Sequence, residues 1–146
     1  MVPVIPLLLG AALSLALVGL ARTYPPRGER RVYAVGLVIA ALLYVVFATA
    51  GGAGTRWLAL ESVGPLLYGA TAWGGLRGRR WVLALGWAGH VAWDVPFHLS
   101  GAGAEYTPPW YPWLCVSFDL IMAGAVLASS RRSAAGLTRH SMITVE

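Results

Sequence analysis

Five long apolar stretches divide this 146-residue chain, and they constrain its fold more than any other feature. A helix needs about 20 residues to cross the hydrocarbon core of a bilayer, at about 1.5 Å per residue. Five segments have this length: 2–21, 32–50, 57–76, 81–99 and 110–129. The pattern predicts an all-α integral membrane bundle of five transmembrane helices. These helices would form a single domain over residues 1–130, followed by a polar cytoplasmic tail over 131–146.

The composition excludes the main alternatives to a membrane protein. Charged residues make up only 12% of the chain and apolar residues 58%, whereas a soluble domain carries about twice that charged fraction. The net charge of +5 comes from arginines in short clusters between apolar runs. This is typical of a topology signal rather than a nucleic-acid-binding surface, so no nucleic-acid partner is expected. The single cysteine excludes an intramolecular disulfide and a cysteine-based zinc site.

The loop charges predict the orientation. The first loop, the third loop and the tail are basic, with Arg22, Arg27, Arg30 and Arg31, then Arg77, Arg79 and Arg80, then Arg131, Arg132 and Arg139. The second loop has only Arg56, and the fourth, 100–109, has Glu105 and no basic residue. The positive-inside rule therefore predicts an N-out/C-in, multi-pass protein of the bacterial plasma (inner) membrane. No basic residue precedes the first span, which favours a retained helix over the alternative of a cleaved signal peptide.

Five ionisable residues lie inside the predicted spans: Glu61, His90, Asp94, His98 and Asp119. Carboxylates in hydrocarbon cost several kcal/mol, so such residues usually face the bundle interior and mark function. The predicted topology places all five in the outer half of the bilayer. On the fourth helix, the i, i+4, i+8 spacing of His90, Asp94 and His98 forms one stripe. Small residues on the third and fourth helices are expected to let these helices approach closely: Gly64, Gly69, Gly74, Gly86 and Gly89.

These side chains include ligands suitable for a divalent Zn, Fe or Mn ion. His90 and His98 would lie about 12 Å apart on a straight helix, too far to share one ion. A mononuclear site would therefore use Glu61, Asp94, His98 and Asp119, leaving His90 to orient a ligand or act as a general base. A dinuclear site could use all five. Without a metal, Glu61, His90, Asp94 and Asp119 are candidate catalytic acids and bases in a dry pocket.

Two other candidate residues are better explained without a functional role. Cys115 is expected to be a small packing residue. His140 lies in the polar tail and is expected to be solvated.

The chain resembles a family of small bacterial polytopic membrane proteins defined only as a domain of unknown function. The resemblance rests on residues 61–119, and chiefly on the motif Gly86-Trp87-x-x-His90-x-x-Trp93-Asp94-x-x-x-His98 followed by Cys115-x-x-x-Asp119. In the family pattern two adjacent histidines follow the Trp-Asp pair, and Phe97 replaces the first of them here. The resemblance implies a polytopic membrane fold in which the polar residues of the motif form one cluster. It implies no activity.

Three functions remain open from the sequence. The leading hypothesis is a membrane-embedded enzyme that acts on a lipid or isoprenoid-like substrate by metal-assisted or acid/base chemistry. The second is a small proton- or cation-coupled transporter, expected to be a homo-oligomer because five short helices enclose little volume. The third is an accessory subunit whose polar cluster is structural.

Overall fold

The fold consists of five helices joined by short loops. The computed structural model describes the backbone of residues 3–143 and the side chains of residues 3–129. The helices are α1 (Val4–Arg22), α2 (Pro26–Ala50), α3 (Thr55–Arg77), α4 (Arg80–Asp94) and α5 (Tyr111–Ile143). A single π-helical turn, Val95–Leu99, continues α4, and a short 3₁₀ helix, Ala102–Glu105, lies in the loop before α5. The described chain contains no strand, and the all-α prediction with five helices is confirmed.

Three of these helices are long and apolar enough to cross a membrane: Val4–Arg22, Pro26–Ala50 and Tyr111–Ser129. They indicate a membrane protein. α3 and α4 carry the polar residues Glu61, His90 and Asp94, which lower their hydropathy. α4 and the π turn together cover residues 80–99, about 30 Å of helix and enough for one crossing. That α3 and α4 also cross the membrane therefore stays a prediction.

The helix ends follow from local sequence. α2 begins at Pro26, before the predicted start at residue 32, because proline is favourable at the first helical position and the arginines that follow are good helix formers. α2 ends before Gly52, whose φ of +69° suits glycine. α5 continues as helix through the predicted tail as far as Ile143. The side chains of that tail, His140 included, and residues 144–146 lie outside the described part of the chain.

The helices pack so that α2 contacts α3, α3 contacts α4, α4 contacts α5, and α5 contacts α1. α1 and α2 make few contacts with each other although they are consecutive. An apolar groove therefore opens between α1, α2 and α5.

The closest contacts between helices occur at glycines. Most of the glycines that were expected to lie between α3 and α4 are not at such contacts. A Cβ added at Gly69 would meet nothing within 4 Å, and Gly64 and Gly89 have only one neighbour each, at 4.0 Å. At Gly86 the added atom would lie 2.6 Å from Leu37 Cδ2 on α2 and 2.7 Å from Thr71 Oγ1 on α3, so this glycine admits α2 as well as the expected α3. The tightest approach is at Gly10 on α1, where the added atom would lie 2.1 Å from the Leu114 carbonyl oxygen on α5.

The basic loops meet at one end of the bundle. The Arg30 guanidinium donates hydrogen bonds to the carbonyls of Gly75, Leu76 and Gly78 at the end of α3. Arg80 lies 4.0 Å from Glu29 and donates to Ser129 of α5. At the opposite end, Gly51 contacts Tyr106, which joins the second loop to the fourth.

We expect the basic end to face the cytoplasm, and cysteine labelling in a Cys115→Ser background tests this orientation. Thr23→Cys and Ala104→Cys place exposed thiols in the first and fourth loops. In intact cells a membrane-impermeant maleimide should label the cysteine at 104, and label the one at 23 only after permeabilisation. The reverse pattern would overturn the N-out assignment.

Candidate functional site: a buried His/Asp/Glu cluster

The π turn after α4 positions the outer end of the polar stripe. Pro96 has no N–H to donate, so the α-helical bond to the carbonyl of Ala92 is missing and the turn widens. An α-helix would rotate His98 about 40° relative to Asp94 over four residues. A π turn contains more residues per turn and reduces this drift. His98 therefore stays beside Asp94, with its Nδ1 4.0 Å from Asp94 Oδ1.

The inner part of the cluster contains one imidazole and two carboxylates. His90 Nδ1 lies 2.8 Å from Asp119 Oδ2 on α5 and 3.5 Å from Asp94 Oδ2 on α4. All three residues are fully buried. One donor atom from each lies within 4.8 Å of the others, as the ligands of a metal ion do.

The outer part of the cluster pairs a second imidazole with a carboxylate. His98 Nε2 lies 2.8 Å from Glu61 Oε1 on α3, and the Tyr106 hydroxyl donates to the same oxygen at 2.5 Å. Burial, together with this hydrogen bond, raises the pKa of Tyr106, so the phenol remains a proton donor. With Glu61 as acceptor, His98 donates from Nε2, and Nδ1 is the ring nitrogen that faces Asp94.

Asp94 is the centre of the whole arrangement. Its two oxygens face the two histidines, at 3.5 Å from His90 and 4.0 Å from His98. The five residues identified from the sequence thus form one continuous chain of contacts from Glu61 on α3 to Asp119 on α5. The structure brings all five together, and the individual catalytic and metal-binding roles stay predictions.

Aromatic rings enclose the histidines. One of them, Tyr44, was not predicted from the sequence to lie near the cluster. Tyr44 of α2 stacks on His98, with ring centroids 3.7 Å apart and planes at 18°. Tyr68 contacts His90 edge-on at 4.9 Å and donates its hydroxyl to the Gly89 carbonyl. Tyr44 lies in an apolar span without ionisable neighbours in sequence, so only the helix packing reveals its position.

Several polar atoms of the cluster lack a hydrogen bond of good geometry. They are Tyr44 Oη, His90 Nε2, both Asp94 carboxylate oxygens, His98 Nδ1 and Asp119 Oδ1. A buried polar atom without a partner costs about 1–3 kcal/mol, and native proteins contain few of them. A polar ligand, an ion or water beside Asp94 would supply partners for these atoms.

The apolar groove between α1, α2 and α5 passes beside the cluster. It has a volume of about 750 Å³, and both Asp119 and Cys115 line it. Its walls include Leu13 and Ile39, which are about half exposed on the bundle surface. Cys115 is buried and contributes to the wall, as expected for a small packing residue.

The fourth loop covers the cluster on the other side. A Cβ at Gly103 would lie 2.6 Å from His98 Cδ2, so only glycine lets the loop backbone approach this closely. Thr107 in the same loop is only 4% exposed, and His98 only 3%. The apolar groove thus borders the buried Asp119 at the side of the bundle, while the fourth loop closes the end.

Comparison with known proteins gives a family but no activity. No curated protein and no solved structure matches this chain. A family described as "Family of unknown function (DUF6010)" matches residues 3–132, a range that contains all five residues of the buried cluster. The chain therefore belongs to the DUF6010 family, whose function is unknown.

Proposed function

We propose that this protein is an enzyme of the bacterial inner membrane that uses a divalent Zn, Fe or Mn ion to act on a lipid-like substrate. The observation that carries the proposal is the convergence of His90, Asp94 and Asp119 in a fully buried site beside an apolar groove. The proposed reaction is metal-assisted or acid/base chemistry on an apolar substrate.

The distances among these three residues support a shared ion. Ligand atoms that bind one ion at about 2.0–2.2 Å lie about 3–3.5 Å from each other in a tetrahedron. The observed 2.8 Å and 3.5 Å separations from His90 Nδ1 to the two carboxylates are close to this range. Three protein ligands leave a fourth position for water or substrate, as catalytic metal sites do. A bound ion would polarise an oxygen of the substrate or activate water.

The contacts of His98 support a role as general base. Glu61 orients the ring through Nε2, and the free Nδ1 points toward the metal-binding group. This resembles the general arrangement in which a carboxylate fixes the tautomer of a histidine base. The proposal therefore exchanges the roles considered for the two histidines from sequence alone, with His90 as ligand and His98 as base. Glu61 then acts as a positioning residue.

The substrate class follows from the groove. A volume of about 750 Å³ suits a molecule of lipid-chain dimensions, and nearly all of its lining residues are apolar. Because the rim residues lie on the surface of the bundle, a substrate dissolved in the bilayer can enter the groove without entering water, and a shift of the groove wall would then expose the buried Asp119 to it.

Elemental analysis of the detergent-purified protein tests the metal site. We expect about one equivalent of Zn, Fe or Mn per chain, and loss of most of it in an Asp119→Asn variant. Glu105→Gln is the matched control, since Glu105 is an exposed acid in the fourth loop and is not one of the five residues of the cluster. Wild-type protein that neither contains a transition metal nor takes one up on titration would refute the metal-dependent mechanism.

A proton relay is the second candidate, and one observation favours it. The polar contacts run without a gap longer than 4.0 Å from Tyr106 in the outer loop to Asp119 inside the bundle. Such chains of Asp, Glu and His transfer protons in pumps and transporters. Proton flux into proteoliposomes that is lost in Glu61→Gln, from protein without metal, would favour the transporter.

A further inference from the structure

A second polar cavity lies at the basic end of the bundle, far along the helices from the buried cluster. It has a volume of about 490 Å³ and lies between the start of α2, the end of α3 and the start of α4. Its charged lining consists of five arginines, Arg27, Arg30, Arg31, Arg77 and Arg80.

Few negative charges compensate these arginines. Among the residues whose side chains the structure describes, Glu29 is the one carboxylate in contact with this group, at 4.0 Å from Arg80. The same carboxylate also accepts a hydrogen bond from Tyr33. The remaining positive charge makes the cavity strongly attractive to an anion.

Two of the arginines are already held in position. Arg30 is fixed by its hydrogen bonds to the end of α3, and its buried Nε has no hydrogen-bond partner in the described part of the chain. The Arg77 guanidinium lies over the Trp73 ring, 3.8 Å from the centroid. A preorganised guanidinium loses less conformational freedom when it binds a phosphate.

The surroundings of the cavity suit an amphiphile rather than a free anion. Trp73 lines it and is 57% exposed, as are tryptophans at a membrane–water interface. Arg31 borders both this cavity and the apolar groove, so an acyl chain that leaves the cavity has an apolar path beside it.

We propose that this cavity binds the phosphate headgroup of an anionic phospholipid from the cytoplasmic leaflet. Basic cavities between membrane helices on that side are known to bind such headgroups. The inference does not depend on the proposed metal site, because none of the cavity's arginines belongs to it, although Arg31 also lines the groove proposed for the substrate.

Lipid titration of the full-length protein in mild detergent, followed by native mass spectrometry, tests the inference. We expect phosphatidylglycerol to bind more tightly than phosphatidylcholine. Arg27→Gln combined with Arg77→Gln should weaken phosphatidylglycerol binding about tenfold or more. Both arginines are exposed, so the double variant should fold.

The matched control is Arg22→Gln combined with Arg79→Gln. These arginines lie in the same two loops, are exposed, and do not line the cavity. Equal weakening in both double variants would mean nonspecific attraction and would overturn the proposal. So would equal binding of the two lipids, or displacement of phosphatidylglycerol by inorganic phosphate at millimolar concentration, which would identify a free-anion site instead.

Discussion

Replacing Asp94 by Asn should abolish the proposed metal binding and leave the helix bundle folded. Asn keeps the size and one oxygen of Asp but loses the negative charge that a divalent ion requires. Changes to residues that only orient a ligand lower metal affinity by about 10–100-fold, so loss of a ligand should exceed this. A neutral amide is also easier to bury than a carboxylate. Asp94 is fully buried, and the nearest nitrogens of His90 and His98 lie 3.5 Å and 4.0 Å from its oxygens.

The same variant separates the functional interpretation from the structural one. If Asp94 instead neutralises a protonated histidine, the change leaves an unpaired buried charge and should destabilise the bundle by about 3–5 kcal/mol. Thermal unfolding in detergent and metal content per folded molecule should be measured on the same preparation. A large fall in melting temperature with unchanged metal content would contradict the assignment of Asp94 as a ligand.

Replacing Gly10 by Ala should have the largest effect on stability. The added methyl group would lie 2.1 Å from the Leu114 carbonyl oxygen and 2.4 Å from Ser117 Oγ. The carbonyl belongs to the backbone of α5 and cannot turn aside, so α1 must move away from α5. This also strains the hydrogen bond from Ser117 to the Leu7 carbonyl. Overpacking of this kind costs about 1–3 kcal/mol, and here we expect about 3 kcal/mol.

Gly19→Ala on the same helix is the control for this substitution. An added methyl group at Gly19 meets nothing within 4 Å, so this change should be neutral or slightly stabilising through helix propensity. Thermal unfolding of both variants in the same detergent compares them. Similar melting temperatures would show that α1 does not pack on α5 as described.

Hydropathy predicted the helical class and the approximate position of every helix, because lipid requires long apolar segments with internally bonded backbones. The stripe of His90, Asp94 and His98 also followed from sequence, since these positions lie on one face of a helix. That Glu61 and Asp119 join them was expected from the cost of exposing a carboxylate to lipid. The cost of exposing ionisable side chains to lipid thus made the convergence of these five residues predictable.

The detailed contacts could not be predicted in the same way. Whether His90 or His98 faces Asp119 depends on the rotation and offset of α5 against α4. The sequence does not determine these quantities, because apolar residues occur on nearly all faces of a membrane helix. Tyr106 hydrogen-bonds Glu61 from a loop whose path no residue pattern determines. The glycines expected between α3 and α4 are mostly not at close contacts, because small residues permit an approach without specifying the partner.

Because Val95–Leu99 forms a π turn, the position of His98 in the site depends on the number of residues in this segment. Substitution of an exposed residue such as Val95 changes only the surface of the turn. Deletion of one residue between Asp94 and His98 that restored the α-helix would place the histidine three residues after Asp94, about 60° to the opposite side of it. His98 or the loop over it would then lose register with Asp94 and Glu61. We therefore expect one-residue insertions and deletions here to be far more damaging than conservative substitutions.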